Sequence, residues 1–224
     1  MRAIYPPADE PRLLQEFFGK NTGVFVDIGA NDPVINSQTY HLERLGWNGI
    51  LIEPLPEYAQ RLTRERKARV FQAACGARSG VMPIHVAGAH SSLLPPDVPV
   101  QEVIEVSVRT LDSILEEAGI ESIDFLSLDV EGFELEVLAG FTLDRWKPGL
   151  ILIEDHVLDL AKHRTLAARG YRLVRRTGVN AWYIPRSRDF PLDLHGRWQL
   201  FRKYVVGLPF RKLRTALRRR RIAV

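Results

Sequence analysis

The chain has 224 residues, 46% hydrophobic and 26% charged, which are the proportions of a globular protein rather than a disordered or fibrous one. No stretch approaches the ~20 consecutive apolar residues of a membrane span. The N-terminal MRAIYPPADEPRLL lacks the apolar core of a secretory signal, and the single cysteine, Cys75, excludes an intrachain disulfide, so a cytoplasmic protein is expected. The net charge of +4 conceals two opposite regions: residues 195–224 carry ten bases and no acid, whereas residues 1–194 carry 21 bases against 27 acids, a charge of −6.

Taken in chain order, the apolar run Val24-Phe25-Val26 marks a buried strand over 23–28 that breaks open onto Asp27 and Gly29, with Asn31 and Asp32 just beyond. Ser37 reads as the N-cap of a helix reaching Leu45. GILIEP (49–54) is a second strand, EYAQRLTRER (57–66) a second helix and RVFQAAC (69–75) a third strand. Two β-rich pieces, 80–87 and 102–110, are split by the Pro-rich loop SSLLPPDVP. TLDSILEEAG predicts a helix that Gly119 ends. IDFLSLDV (123–130) is a buried strand followed by a helix in FELEVLAGF; GLILIED (149–155) is another, followed by a helix from about Leu158 to Arg169. YRLVRR and VNAWYIP predict a closing β-hairpin.

Continuous apolar strands separated by helices imply an α/β fold built on a parallel sheet covered on both faces. Beyond this body, at 1–194, lies a different segment at 195–224. Trp198, Phe201, Val205 and Leu208 fall near one helical face, Phe210, Leu213 and Leu217 repeat the pattern past Pro209, and bases fill the other faces. It reads as a basic amphipathic helical C-terminal tail that can lie on an anionic membrane surface, which would make the protein peripheral at the inner face of the membrane. Docking of the apolar face on the protein's own core is the alternative.

In open α/β sheets ligands bind at the carboxyl ends of the strands. Here those ends are acidic: Asp27, Glu53, Asp129 with Glu131, and Glu154 with Asp155. Glu53, at the end of the second strand, stands where an acid hydrogen-bonds a ribose hydroxyl. The turn after Asp27 has one glycine rather than the three of a dinucleotide fingerprint, and a pyrophosphate would be repelled by the acids. A ligand with a ribose and positive charge suits the site: S-adenosylmethionine offers both, and its carboxylate can take backbone N–H groups in the turn. Strand-ending or helix-capping roles remain the plain alternative for each acid taken singly.

The blocks FVDIGANDPVINSQTYHLERLGWNGILIEPLPE, VRTLDSIL, IDFLSLDVEGFELEVLAGF and GLILIE resemble, in order, those of the FkbM family of S-adenosylmethionine-dependent methyltransferases, over roughly residues 20–185. The resemblance implies a class I methyltransferase (Rossmann-like) fold, a seven-stranded sheet with its last strand antiparallel, and O-methylation of a hydroxyl on a sugar or other natural product. It assigns Asp27, Gly29, Ala30 and Asn31 to the first cofactor motif, Glu53 to the ribose, Ala74 to the adenine, and Asp129 with Glu131 to the acidic pair after the fourth strand. Pro33, in GANDPV, departs from the glycine that many members carry there.

A sugar hydroxyl needs a base to take its proton during attack. Asp129, Glu131, Glu154, Asp155 and His156 are the candidates at strand ends, Asp129, Glu131 and His156 foremost and His156 with a surface-capping role as its alternative; His85 and His90 are further candidates for the acceptor pocket, with Ser91 and Ser92. Asp129, Glu154 and Asp155, with Glu131 beside them, would also offer Mg²⁺ hard oxygen ligands that lower a hydroxyl's pKa. Competing readings are an RNA methyltransferase that uses the basic tail, which the acidic body disfavours, and a non-catalytic membrane-surface adaptor, which the intact cofactor acids disfavour. A small-molecule, glycan or glycolipid acceptor is the favoured partner.

Overall fold

The computed structural model describes residues 10–88, 90–95, 98–155, 160–191, 194–201, 205–210, 212, 213 and 216. Alternation along the central strands divides the interior into two cores. In β1 (Val24–Ile28), β2 (Asn48–Ile52), β7 (Phe125–Leu128) and β8 (Leu150–Glu154), Val26, Ile28, Ile50, Ile52, Leu126, Leu128, Ile151 and Ile153 face one side. Phe25, Leu51, Phe125, Leu150 and Leu152 face the other. Both sides are apolar because both are covered. The first is packed by α4 (Leu111–Ala118), α5 (Glu134–Ala139), α6 (Leu143–Trp146) and α7 (Ala161–Ala168). The second is packed by α1 (Glu10–Phe18), α2 (Tyr40–Leu45) and α3 (Pro56–Glu65).

The seven-stranded sheet runs β3-β2-β1-β7-β8-β10-β9, with β3 at Arg69–Phe71, β9 at Tyr171–Thr177 and β10 at Asn180–Pro185. All pairings are parallel except those of β10, which is antiparallel to both β8 and β9. This is the expected mostly parallel sheet with helices on both faces, including the closing hairpin. Sequential strands reverse direction across the sheet between β1 and β7, the switch point at which open α/β sheets form their crevice.

Three expected elements differ in detail. The run 69–75 is two strands, because Phe71 ends the edge pairing with Ile52, and Ala74–Cys75, β4, pairs instead with Val108–Arg109. With β5 (Gly80–Val86) and β6 (Glu102–Arg109), β4 builds a separate three-stranded sheet around Leu55, Ile84, Val106 and Val108. The helix expected from Ser37 begins at Tyr40, although Ser37 Oγ still accepts the Tyr40 N–H at 3.2 Å. The helix expected from Leu158 is described from Ala161, and residues 156–159 lie outside the described residues. The helix ended by Gly119 is as expected: Thr110 accepts the Ser113 N–H, and Gly119 adopts φ +69°.

Candidate functional site

A cavity of about 430 Å³ opens at the carboxyl ends of β1, β2 and β7, roofed from one side by Gly88, Ser91, Ser92 and Leu93 beside the small sheet. It lies in the size range of small-molecule sites. Its shape depends on Gly29, which follows β1 at φ +80°. A Cβ there would stand 1.8 Å from the Asp129 carbonyl oxygen, so only glycine lets the two strand ends close up. The Gly29 and Ala30 N–H groups both donate to the Ile52 carbonyl, at 2.9 and 3.2 Å. Asn31 then takes φ +48° and donates its N–H to Glu53 Oε2 at 3.0 Å.

Glu53 is therefore built into the turn. Its other oxygen, Oε1, accepts the Leu55 N–H at 2.9 Å, which leaves outward lone pairs on both oxygens for hydroxyl donors. Burial, with the charge of Asp27 adding to it, pushes the carboxyl up to about 7 against the pull of the two backbone donors. Asp27 accepts from Thr39 Oγ1 at 2.7 Å, and that oxygen accepts from Arg66 at 3.1 Å. Burial raises the Asp27 pKa, while Thr39 and the Arg66 charge oppose the rise. The Arg66 guanidinium, itself buried, also donates to Pro33 O and Ser37 Oγ and pairs with Glu43 at 3.2 Å. One arginine thus fixes the path of the 33–39 segment, Pro33 included. Asp32 accepts from the Val34 and Ile35 N–H groups and pairs with Arg61 at 3.0 Å; these outweigh its slight burial and hold its pKa low.

On the opposite wall, Asp129 follows β7, and its N–H donates to Ile28 O at 3.1 Å. Its Oδ1 is enclosed without a hydrogen-bond partner. Burial first, then the neighbouring charges of Glu154, Glu131, Glu134 and Asp27, holds its carboxyl well above the usual range. Glu131, at φ +53°, ties the strand end to the roof: its carbonyl accepts from Ser92 Oγ at 2.8 Å, and its Oε1 lies 3.4 Å from His90 Nδ1. Ser91 and Ser92 line the cavity with their hydroxyls engaged, Ser91 donating to Gly88 O. His85 meets Ser92 through backbone hydrogen bonds and does not line the cavity. Ala74 lines it, as does Cys75, whose thiol burial pushes up to about 12, the state of a packing residue.

The expected grouping of Asp129, Glu154 and Asp155 as metal ligands is corrected. Asp155 turns to β9, where its Oδ2 pairs with Arg176 at 2.5 Å. Among the described residues, the carboxylates that converge are Asp129, Glu134 and Glu154, within 4.8 Å of one another. Glu134 opens α5, accepts from the Gly132 N–H at 3.0 Å and meets Lys162 Nζ at 2.6 Å; Lys162 also donates to Glu154 O. A lysine therefore already supplies positive charge to this cluster. His156 lies outside the described residues. Sequence reasoning missed Arg66, Glu134 and Lys162, which sit within helical patterns or at their ends and look there like solvated charges.

Among the described residues, the lining includes five acids, Asp27, Asp32, Glu53, Asp129 and Glu131, against one base, Arg61. Such a wall favours a cationic ligand and repels a pyrophosphate. Glu53 fits a ribose, and the enclosed, unpartnered Asp129 Oδ1 fits a donor or a cation beside it.

The Methyltransferase FkbM domain family matches residues 27–173. The 2-O-methyltransferase NoeI of Sinorhizobium fredii (strain NBRC 101917 / NGR234) is 28% identical over 150 residues, a match covering 58% of this chain and 61% of the relative. The chain thus spans less than two thirds of the length of that curated relative. The crystal structure of methyltransferase FkbM from Methylobacillus flagellatus KT superposes with a TM-score of 0.51 at 20% identity, covering 73% of this chain and 44% of that one. At that identity the likeness is one of fold.

Proposed function

The chain belongs to the FkbM methyltransferase family, and on that premise we propose that its cavity binds S-adenosylmethionine and serves O-methylation of a hydroxyl on a sugar, glycan or related natural product. The observation that carries the reading is Glu53: a buried carboxylate, anchored by two backbone N–H groups at the end of β2, with acids on the walls around it. It would take the ribose hydroxyls, the turn at Gly29–Asn31 would face the methionine end, and Ala74 would lie against the adenine. The bound donor supplies an electrophilic methyl on a sulfonium centre.

The chain's own task is then to hold an acceptor hydroxyl in line and receive its proton. Asp129 is assigned that role. Its raised pKa makes it a stronger base than an ordinary carboxylate, with its protonation change moved toward neutrality. Glu131, which lines the cavity with His90 beside it, would orient the acceptor where it enters. The 2-O-methyltransferase activity in the name of NoeI supports oxygen as the methylated atom. Calorimetry with S-adenosylmethionine, followed by a methyl-transfer screen over sugars and glycolipids, tests the proposal. Failure to bind the donor would overturn it; donor binding with transfer only to nitrogen or carbon acceptors would refute the O-methylation.

A further inference from the structure

Among the described residues of 195–224 none lines the cavity, and the segment is unusual in two independent ways. The first is apolar exposure. The helix α8 (Leu194–Phe201) lies along β9, yet Trp198, stacked on Phe201 at 5.9 Å, is 57% exposed. Residues 205–210, 212 and 213 are again helical, and Val205, Val206, Phe210 (71%) and Leu213 (60%) are exposed as well. In the sequence Trp198, Phe201 and Val205 are spaced i, i+3, i+7, and Val206, Phe210 and Leu213 i, i+4, i+7, the spacing of an apolar helical stripe. Leu208 alone of the expected stripe is half-buried, and Leu217 lies outside the described residues. The body therefore leaves these side chains exposed, and large apolar side chains exposed together in one segment mark an interaction site.

The second is charge: ten bases and no acid share the same thirty residues, beside a body of charge −6. Nucleic acid would use the bases and leave Phe210 and Leu213 in water. A neutral apolar groove on another protein would do the reverse. An anionic lipid surface uses both at once, bases over the headgroups and aromatic side chains at the acyl boundary. We infer that residues 195–224 dock the protein on anionic membranes, with Trp198, Phe201 and Phe210 entering the interface. Each base held near such a surface strengthens binding about fivefold, so a few of the ten suffice for reversible attachment. The inference does not rest on the methyltransferase reading, and donor affinity is measured separately from lipid binding.

The test is co-sedimentation of the full chain with vesicles of pure phosphatidylcholine and of phosphatidylcholine mixed with phosphatidylglycerol. Binding to the mixed vesicles is expected to be at least tenfold tighter and to fall as salt is raised. The triple variant Trp198→Ser/Phe201→Ser/Phe210→Ser should lose at least tenfold on the mixed vesicles while keeping its melting temperature, since these side chains face solvent. Should the triple variant melt lower, Phe210→Ser alone, at the most exposed of the three, carries the same test with a smaller expected loss of a few-fold. Equal binding to both vesicle types, no binding to either, or binding that these variants leave undiminished would overturn the inference. Tight binding of an RNA homopolymer without vesicle binding would overturn it too, and would assign the bases to nucleic acid.

Discussion

Replacing Glu53 by glutamine should make the protein bind its donor worse and, above neutrality, stand up to denaturant better. Burial and the Asp27 charge move the Glu53 pKa from 4.5 to about 7 in the native state. At about 1.4 kcal/mol per pKa unit, ionised Glu53 costs the folded state about 3 kcal/mol. The folded pKa lies above the unfolded one, so this group's contribution is fully present below about pH 4.5 and is lost as pH rises through about 7. Glu53→Gln abolishes that titration. It also turns an amide NH₂ toward either the Asn31 or the Leu55 N–H, which forfeits a hydrogen bond worth about 1 kcal/mol. The variant should therefore be more stable than wild type by about 2 kcal/mol near pH 8 and less stable by about 1 kcal/mol near pH 3.5. Urea denaturation of both proteins at the two pH values, without donor, measures this. The same stability difference at both pH values would refute the account of Glu53 as a buried carboxylate ionising near neutrality. Calorimetry with S-adenosylmethionine supplies the other half. Charge-assisted hydrogen bonds are worth about 1.5–3 kcal/mol, so affinity should fall tenfold or more, and an unchanged dissociation constant would remove Glu53 from the ribose site.

Asp129→Asn should reduce turnover by roughly two orders of magnitude or more with a much smaller change in donor affinity, and wild-type turnover should rise with pH through the raised Asp129 pKa; a variant with wild-type turnover would move the base to Glu131 or His156. Gly29→Ala should cost roughly 1–3 kcal/mol from the left-handed backbone alone, with the contact against the Asp129 carbonyl added, and should abolish donor binding; a melting temperature equal to wild type would contradict the close approach of β1 and β7. Excess chelator should leave methyl transfer unchanged, because Lys162 already meets Glu134 at 2.6 Å in the acidic cluster; activity lost to chelator and restored by Mg²⁺ would show that an ion displaces it.

Much of the architecture was legible because the central strands are buried on both faces, so that Leu150–Ile153 is continuously apolar and Phe125–Leu128 is broken only by Ser127. The strand-end acids were legible for a complementary reason: Asp27 and Glu53 stand at the edge of such runs, where a carboxylate is conspicuous. What stayed hidden depends on distant partners. Asp155 turns away because Arg176, on a strand 21 residues later, meets it, and nothing local to GLILIED announces that. Arg66 looks like one more charge at the end of EYAQRLTRER, and its burial arises only when the 33–39 segment wraps over it. The break after Phe71 was likewise invisible, since no glycine or proline interrupts RVFQAAC while its hydrogen-bond partners change from one sheet to another.

The bond from Ser92 Oγ to the Glu131 carbonyl, with His90 beside the same residue, joins the loop of the small sheet to the floor of the large one. It works as a latch across the mouth. Under the proposed function, an acceptor entering from that side would have to break a pair of polar contacts, one of them on a histidine that is largely in solvent. Parting these two contacts would disturb no buried apolar core, so under the proposed function the loop could yield to an acceptor at small cost. The strand ends beneath, where Gly29 packs against the Asp129 carbonyl, share neither contact and would keep their geometry.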